Sequence, residues 1–177
     1  MGILAKLFGP RRIKGTLGIL DLSGGAASEV VAADRAALAA VFPEVKASTG
    51  QPPSCGVLFM YCTVETDGRI RGSNLGLREI IRDSGATVVV VATPNPASHY
   101  IAASKRTGYG MANLVLTIDR KGGAFPAFFT ELFSDMKKGT SMPMAWVKLA
   151  PQSPQAQAAL SLPATIFSCE AGQIALS

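Results

Sequence analysis

Runs of apolar residues separated by polar, glycine-rich turns predict an α/β protein. The most apolar run is GATVVVV at 85–91, where four consecutive valines do not alternate with polar residues. A strand without alternation must be covered on both faces, so this run predicts a central parallel strand with helices on both sides. Further strands are predicted at 15–22, 56–62 and 112–118, with a short one at 44–47.

Helical spacing occupies the segments between these strands. Residues 27–42 are rich in alanine, and shorter helices are predicted at 75–83 and 96–106. The clearest helix follows the spacing i, i+3, i+4, i+7, i+8 and i+11, which gives one apolar face. Its apolar residues are Phe125, Phe128, Phe129, Leu132, Phe133 and Met136, and Gly139 supplies the stop before a last helix at 142–149.

Strands that alternate with helices predict right-handed crossovers and a parallel sheet. If the first crossover goes one way and the others go the opposite way, the strand order is 2-1-3-4-5. A final strand or hairpin from 164–176, turning at Ala171-Gly172, is expected at the edge. We therefore predict a three-layer, Rossmann-like α/β sandwich of about five or six strands. Residues 15–177 form its single domain, preceded by a basic, amphipathic segment at 1–14.

Composition limits the class of protein. Hydrophobic residues make up 48% of the chain and the mean hydropathy is +0.29, which favours an apolar surface for a protein partner or for a homo-oligomer. No apolar run is long enough to span a membrane, and the start MGILAKLFGPRR does not fit a signal peptide. Three cysteines without a CxxC pair indicate the reducing cytoplasm and argue against structural zinc.

The positive charge is concentrated at the start of the chain. The formal net charge is +5, and four cations precede residue 16 with no acid among them. The remainder is nearly neutral, so the extended basic surface that nucleic acid requires is not predicted. Apolar residues beside these cations make residues 3–14 a weak candidate for contact with a membrane surface. A terminus that is frayed or packs on its own domain is the simpler interpretation.

Polar residues follow the predicted parallel strands, and they should gather at the carboxyl edge of the sheet. The strand order reverses between the strands that end at Asp21 and Cys62, and ligands bind at such a switch point. Asn95 is also placed to cap the helix that begins at Pro96. The predicted crevice and its neighbourhood comprise Asp21, Ser23, Gly24, Gly25, Cys62, Thr63, Glu65, Thr93 and Asn95.

Four segments carry a resemblance to a known family: FMYC, GATVVVVAT, ANLVLTID and AFFTELFSDMKKGTSMPMAWVKLA. Over residues 56–176 their order resembles the caspase-like fold, in particular CHAT peptidase domains. The resemblance implies a catalytic His at the position of Thr63 and a catalytic Cys within Ala92-Thr93-Pro94. Neither is present. It therefore implies a pseudoenzyme, a catalytically silent module that binds a protein partner or regulates an assembly.

The residues at this edge also suggest other kinds of chemistry. Asp21-Leu22-Ser23-Gly24-Gly25 resembles the Asp-x-Ser-x-Ser site of von Willebrand A domains, but its oxygens are too few for a hard cation, so no metal is predicted. The Gly-Gly pair suits a phosphate cradle of backbone N–H groups, and equally a tight turn with positive φ. A loop with Glu65, Asp67, Arg69 and Arg71 suits a zwitterionic or phosphorylated molecule, or is simply solvated.

Cys62 and His99 are the one Cys/His pair expected near this edge. A thiolate nucleophile needs a base within hydrogen-bond reach. The alternative places Cys62 in the core as a small hydrophobe. The second functional hypothesis is therefore an enzyme at the carboxyl edge, a hydrolase or a binder of a small or phosphorylated ligand, with these two residues as catalytic candidates. No cofactor is predicted.

Overall fold

The computed structural model describes residues 10–93, 95–96, 98–99, 113–116, 123–149, 164–165 and 174–177. Its strands are β1 Arg11–Ile13, β2 Thr16–Asp21, β3 Glu44–Ser48, β4 Val57–Tyr61, β5 Val88–Val91, β6 Asn113–Leu116, β7 Ala164–Thr165 and β8 Ile174–Leu176. Its helices are α1 Ser28–Leu38, α2 Leu77–Ser84, α3 Ala124–Lys137 and α4 Met142–Leu149. None of the helices in these ranges is long and apolar enough to cross a membrane.

The main sheet has six strands in the order β3-β2-β4-β5-β6-β7. The pairings from β3 to β6 are parallel, and β7 joins β6 antiparallel at the edge. This confirms the predicted order, in which one crossover reverses direction and a late strand is added outside. The reversal lies between β2 and β4.

Both faces of the sheet are covered, as the unbroken apolar runs predict. Along β4 the side chains alternate between two buried clusters, with Phe59 and Tyr61 on one face and Leu58 and Met60 on the other. The first cluster contains the apolar face of α3, and the second contains Ile80 of α2. The molecule is therefore a three-layer α/β sandwich.

The apolar spacing of α3 is confirmed, since the six residues that carry it are all buried. Helix α4 packs beside α3, with the ring of Trp146 4.8 Å from that of Phe128. Lys148 Nζ also lies 2.6 Å from Asp135 Oδ2. The lysines beside Asp135 lower the pKa of its carboxyl, Lys148 foremost. The two helices are thus joined by both aromatic and charged contacts.

The two ends of the described chain form a second, two-stranded sheet. Strands β1 and β8 are parallel, with Ile13 opposite Leu176, and the Ser177 N–H donates to Ile13 O at 2.9 Å. The expectation of one edge element over 164–176 is therefore only partly right: β7 takes the edge and β8 joins β1. The reason is burial, because Ile13, Ile174 and Leu176 all enter the main core.

Several boundaries differ from the sequence prediction. Helix α1 ends at Leu38, and the segment up to Phe42 continues as a turn. The predicted helix at 96–106 lies outside the described residues except for Pro96, Ser98 and His99, and so does the turn at Ala171-Gly172. The division at residue 14 stays a prediction, although Arg11–Ile13 of the N-terminal segment forms β1.

Candidate functional site

The carboxyl ends of β2, β4 and β5 meet at one edge of the sheet. Asp21 is paired with Tyr61 in the register of β2 and β4. The next residues stay close, because the Leu22 N–H donates to Tyr61 O at 2.9 Å. The Cys62 N–H donates to Thr93 Oγ1 at 3.2 Å. The structure therefore brings Asp21, Cys62 and Thr93 together at the switch point, as the topology predicts.

The loop from Asp21 to α1 is held by its own side chains. Asp21 Oδ1 accepts hydrogen bonds from the Ser23 N–H at 2.9 Å and the Ser23 hydroxyl at 2.6 Å. Ser23 Oγ in turn accepts from the Ala27 N–H at 2.9 Å. Gly24 and Gly25 have φ of +68° and +94°, a conformation that glycine adopts without steric cost. The Gly-Gly pair thus forms a tight turn.

The same loop limits the phosphate-cradle hypothesis. The N–H groups of Ala26 and Ser28 donate to the carbonyl oxygens of Ser23 and Gly25, and that of Ala27 to the Ser23 hydroxyl. These three donors are therefore already used. Within the described ranges no group of three His, Cys, Asp or Glu side chains could hold a metal ion. Ligand binding by the predicted residues of this loop remains a prediction.

Asn95 and Thr93 fasten the end of β4, an arrangement we call the Asn95 clamp. Asn95 is 5% exposed; its Oδ1 accepts from the Val64 N–H at 2.7 Å and its Nδ2 donates to Cys62 O at 3.1 Å. The Thr93 hydroxyl also donates to Cys62 O. The Asn95 oxygen thus bonds to the backbone of Val64, and the expected cap of the helix at 96–106, most of which lies outside the described residues, stays a prediction. A buried N–H at a strand end must find a partner, and Asn95 supplies it.

The Cys62 thiol is unsuited to nucleophilic chemistry. It is 1% exposed within the second core cluster, and this burial raises its pKa to about 12. His99 Nδ1 lies 2.7 Å from Val64 O, so Nδ1 carries the proton of that hydrogen bond, since a carbonyl oxygen can only accept. No hydrogen bond joins Cys62 to His99 in the described part of the chain. The interpretation of Cys62 as a small core hydrophobe is favoured over the dyad.

Thr63 and Glu65 belong to a hairpin that follows β4. Val64 pairs antiparallel with Ile70, and the Arg71 N–H donates to Thr63 O at 2.9 Å. Glu65 Oε1 lies 2.6 Å from Arg71 Nε, and both side chains are substantially exposed. The charged loop predicted here is therefore a hairpin whose charges pair with one another.

A cavity of about 540 Å³ lies between this hairpin and the start of α2. It is lined by two carboxylates and two guanidinium groups together with small polar residues: Asp67, Gly68, Arg69, Ser73, Asn74, Gly76, Leu77, Arg78 and Glu79. Glu79 also receives the Gly76 N–H at 2.7 Å, which closes the first turn of α2. The mixed charges predicted for this edge thus surround an open cavity.

A buried polar pair beside the switch point escaped the sequence analysis. Tyr61 and Asp34 are both fully buried, and the Tyr61 hydroxyl donates to Asp34 Oδ2 at 2.7 Å. Asp34 lies four residues after Val30 and four before Leu38, which places it on the apolar face of α1. A carboxylate on that face was the available signal, since buried charges require partners.

Comparison of the chain with family models, curated proteins and solved structures finds no match.

We expect Cys62 to resist alkylation in the native protein. The thiolate is the reactive species, and the raised pKa of about 12 leaves little of it at pH 8. Iodoacetamide treatment followed by peptide mass spectrometry should leave Cys62 unmodified natively and fully modified in guanidinium chloride. Cys55 offers an internal comparison, because burial raises its pKa to about 11. Native modification of Cys62 at the rate of a free thiol would contradict this prediction.

Proposed function

We propose that this chain is a catalytically silent α/β module that binds another protein, as a partner or as a second copy in an assembly. The observation that carries the proposal is the Asn95 clamp. At the carboxyl edge, the polar groups that a peptidase would use for chemistry are engaged in holding the backbone of Cys62 and Val64. The same proposal places the protein in the reducing cytoplasm, because its three cysteines include no CxxC pair.

The positions that the resemblance assigns to a peptidase dyad support the loss of catalysis. Thr63 lies where the His would be, and its carbonyl belongs to the hairpin. Ala92 is buried, and the Thr93 hydroxyl bonds to both the N–H and the carbonyl of Cys62. A chain that lacks the catalytic dyad but keeps the strands on which the dyad lies in a peptidase is a scaffold without catalysis. A scaffold with the composition of this chain is suited to binding through an apolar surface.

Helix α4 offers such a surface. Met144 and Val147 are each 64% exposed, and they are the large exposed hydrophobic residues in the described ranges. They are three positions apart and therefore share one face of the helix. Met142 and Ala145, on the other side, are fully buried. The outward side of α4 thus presents two apolar side chains beside the exposed Lys148, and we infer that it contacts the partner.

Self-association of the whole chain provides the test. We expect the apparent mass in size-exclusion chromatography with light scattering to rise above 18.4 kDa as concentration increases. The double variant Met144→Glu/Val147→Glu should stay at the monomer mass, because two carboxylates on the α4 face oppose burial. Ala32→Glu/Ala36→Glu is the matched control: it adds the same charge to an exposed part of α1. A wild type that stays monomeric throughout, or an equal loss in the control, would contradict self-assembly through α4 and leave a different protein as the proposed partner.

A second candidate keeps a ligand at the carboxyl edge. The observation that favours it is the cavity of about 540 Å³ beside the hairpin. Its guanidinium groups belong to Arg69 and Arg78, and its carboxylates belong to Asp67 and Glu79. Its volume is in the range of small-molecule sites, and its mixed charge suits a zwitterion. Ligand density in soaked crystals between the hairpin and α2 would favour this candidate over the first.

A further inference from the structure

The opposite edge of the sheet contains a second cavity, which we call the amino-edge cleft. It measures about 620 Å³ and lies where β2, β3, β4 and β5 begin. Its lining comes from strand β1 and the residue after it, from the beginnings of these four strands and the residues before them, and from the end of α2. The lining residues are Arg11, Arg12, Ile13, Lys14, Thr16, Glu44, Lys46, Ser54, Cys55, Gly56, Ser84, Gly85 and Thr87. The carboxyl edge, with its paired charges, is a separate region.

The charge of this lining is strongly one-sided. Four cations, Arg11, Arg12, Lys14 and Lys46, surround it with Glu44 as the one carboxylate. Four positive charges less one leave +3, whereas the whole chain carries +5. Glu44 is also neutralised locally, since Lys46 Nζ lies 3.2 Å from its Oε1 and the Thr16 hydroxyl donates to its Oε2 at 3.1 Å. An anion entering the cleft therefore meets a net positive wall.

Two of the four cations are free to receive that anion. Arg12 Nη1 donates to Leu176 O at 2.7 Å, so its guanidinium serves the junction between the chain ends. Lys46 bonds to Glu44 and to Ser54 O. Arg11 and Lys14 are exposed, and their side chains make no hydrogen bond or ion pair among the residues that the structure describes. A guanidinium and an ammonium that are both unpaired suit phosphate oxygens.

The end of α2 also faces this region, and a helix C-terminus carries partial negative charge, which opposes an anion. The Ser84 carbonyl, however, accepts the Cys55 N–H at 3.0 Å. Gly85 has φ of +64°, and a Cβ there would meet nothing within 4 Å. The helix end thus presents open space to the cleft, and the Ser54 and Thr87 hydroxyls add donors to its wall.

We propose that the amino-edge cleft binds a phosphate group, with Arg11 and Lys14 as its principal contacts. The volume matches a compact ligand rather than an extended polymer. Two sources share this chemistry. One is a soluble phosphorylated molecule, and the other is a phospholipid headgroup, since Arg11 and Lys14 follow the apolar residues Ile3, Leu4, Leu7 and Phe8 in the sequence.

Inorganic tripolyphosphate is the probe for the first source. Isothermal titration at low ionic strength should show binding to the wild type, weakened about tenfold or more in Arg11→Gln/Lys14→Gln, because two charge-assisted contacts are lost. Arg35→Gln/Lys137→Gln removes the same two charges, one arginine and one lysine, from exposed positions that line neither cavity, and it should bind as the wild type does. Unchanged melting temperatures would show that both variants are folded.

Sedimentation with phosphatidylcholine vesicles containing phosphatidic acid tests the second source with the same variants. Binding of tripolyphosphate alone identifies a soluble ligand, and binding of vesicles alone identifies a headgroup; either supports the cleft if Arg11→Gln/Lys14→Gln abolishes it. No binding of either probe overturns the proposal. An equal loss in the Arg35→Gln/Lys137→Gln control also overturns it, because the effect would then reflect net charge. Neither result bears on assembly through α4, which is measured separately.

Discussion

Replacement of Phe59 by alanine should lower the free energy of unfolding by about 3–5 kcal/mol. Phe59 lies in the middle of β4 and is 0% exposed. Its ring centroid is 5.2 Å from that of Phe129 and 6.2 Å from those of Phe125 and Phe133. The truncation therefore removes the side chain around which one face of α3 is arranged. Alanine would leave a cavity between sheet and helix that rigid neighbours cannot fill.

Urea unfolding followed by circular dichroism measures this loss. Phe59→Leu should lose much less, because leucine retains most of the apolar volume. Met144→Ala, on the exposed face of α4, should change stability by only a few tenths of a kcal/mol. Equal losses for Phe59→Ala and Met144→Ala would show that the aromatic cluster does not hold α3 on the sheet.

The sheet order could be predicted because each central strand shows its burial in the sequence. The runs GVLFMYC and VVVV contain no polar position for a solvent-facing side, so they had to lie inside a covered sheet. The right-handed crossover rule then left few possible arrangements. Helix α3 could be predicted equally well, since its six apolar residues repeat with the helical period.

The pairing of β1 with β8 could not be predicted in this way. Each strand has three residues, too few for a periodic pattern, and they are more than 150 positions apart along the chain. The segment RRI reads as part of a basic terminus, although Ile13 is buried. The position of β1 depends on packing against residues that are distant in the sequence, and a local sequence pattern does not show such packing.

The roles of the carboxyl-edge residues were equally hidden. The sequence placed Thr93 and Asn95 correctly at that edge, and their residue types suit either ligand binding or backbone bonding. Backbone bonding is what the structure shows, because the Val64 N–H and the Cys62 carbonyl need hydrogen-bond partners. That need depends on where β4 and β5 end relative to each other. A strand register fixes that relation, and the sequence alone does not show it.

The two edges of the sheet differ in how their charged side chains are paired. At the carboxyl edge, polar groups are largely paired with one another, from Asp21 with Ser23 to Glu65 with Arg71. At the amino edge, the side chains of Arg11 and Lys14 line a cavity and have no ion-pair partner among the described residues. Beside that cavity the turn between β1 and β2 passes close to the residue that precedes β4, and that residue is a glycine.

Replacement of that glycine, Gly56, by alanine should prevent correct packing of the N-terminal turn. A Cβ at Gly56 would lie 2.1 Å from Lys14 O and 3.2 Å from Lys14 Cβ. The obstacle at 2.1 Å is backbone, so a rotamer change cannot relieve it. We expect a loss of stability at or above the upper end of the range of about 1–3 kcal/mol that is usual for overpacked sites. Urea unfolding measures it.

Gly50→Ala separates this clash from the general effect of replacing a glycine, because a Cβ at Gly50 would meet nothing within 4 Å. Its stability should stay close to that of the wild type. If the Gly56→Ala protein folds, displacement of the turn that carries Lys14 should also weaken tripolyphosphate binding, whereas Gly50→Ala should leave it intact. A Gly56→Ala protein as stable as Gly50→Ala would mean that the β1–β2 turn does not cross β4 at this distance. The wall of the amino-edge cleft would then have to be formed differently.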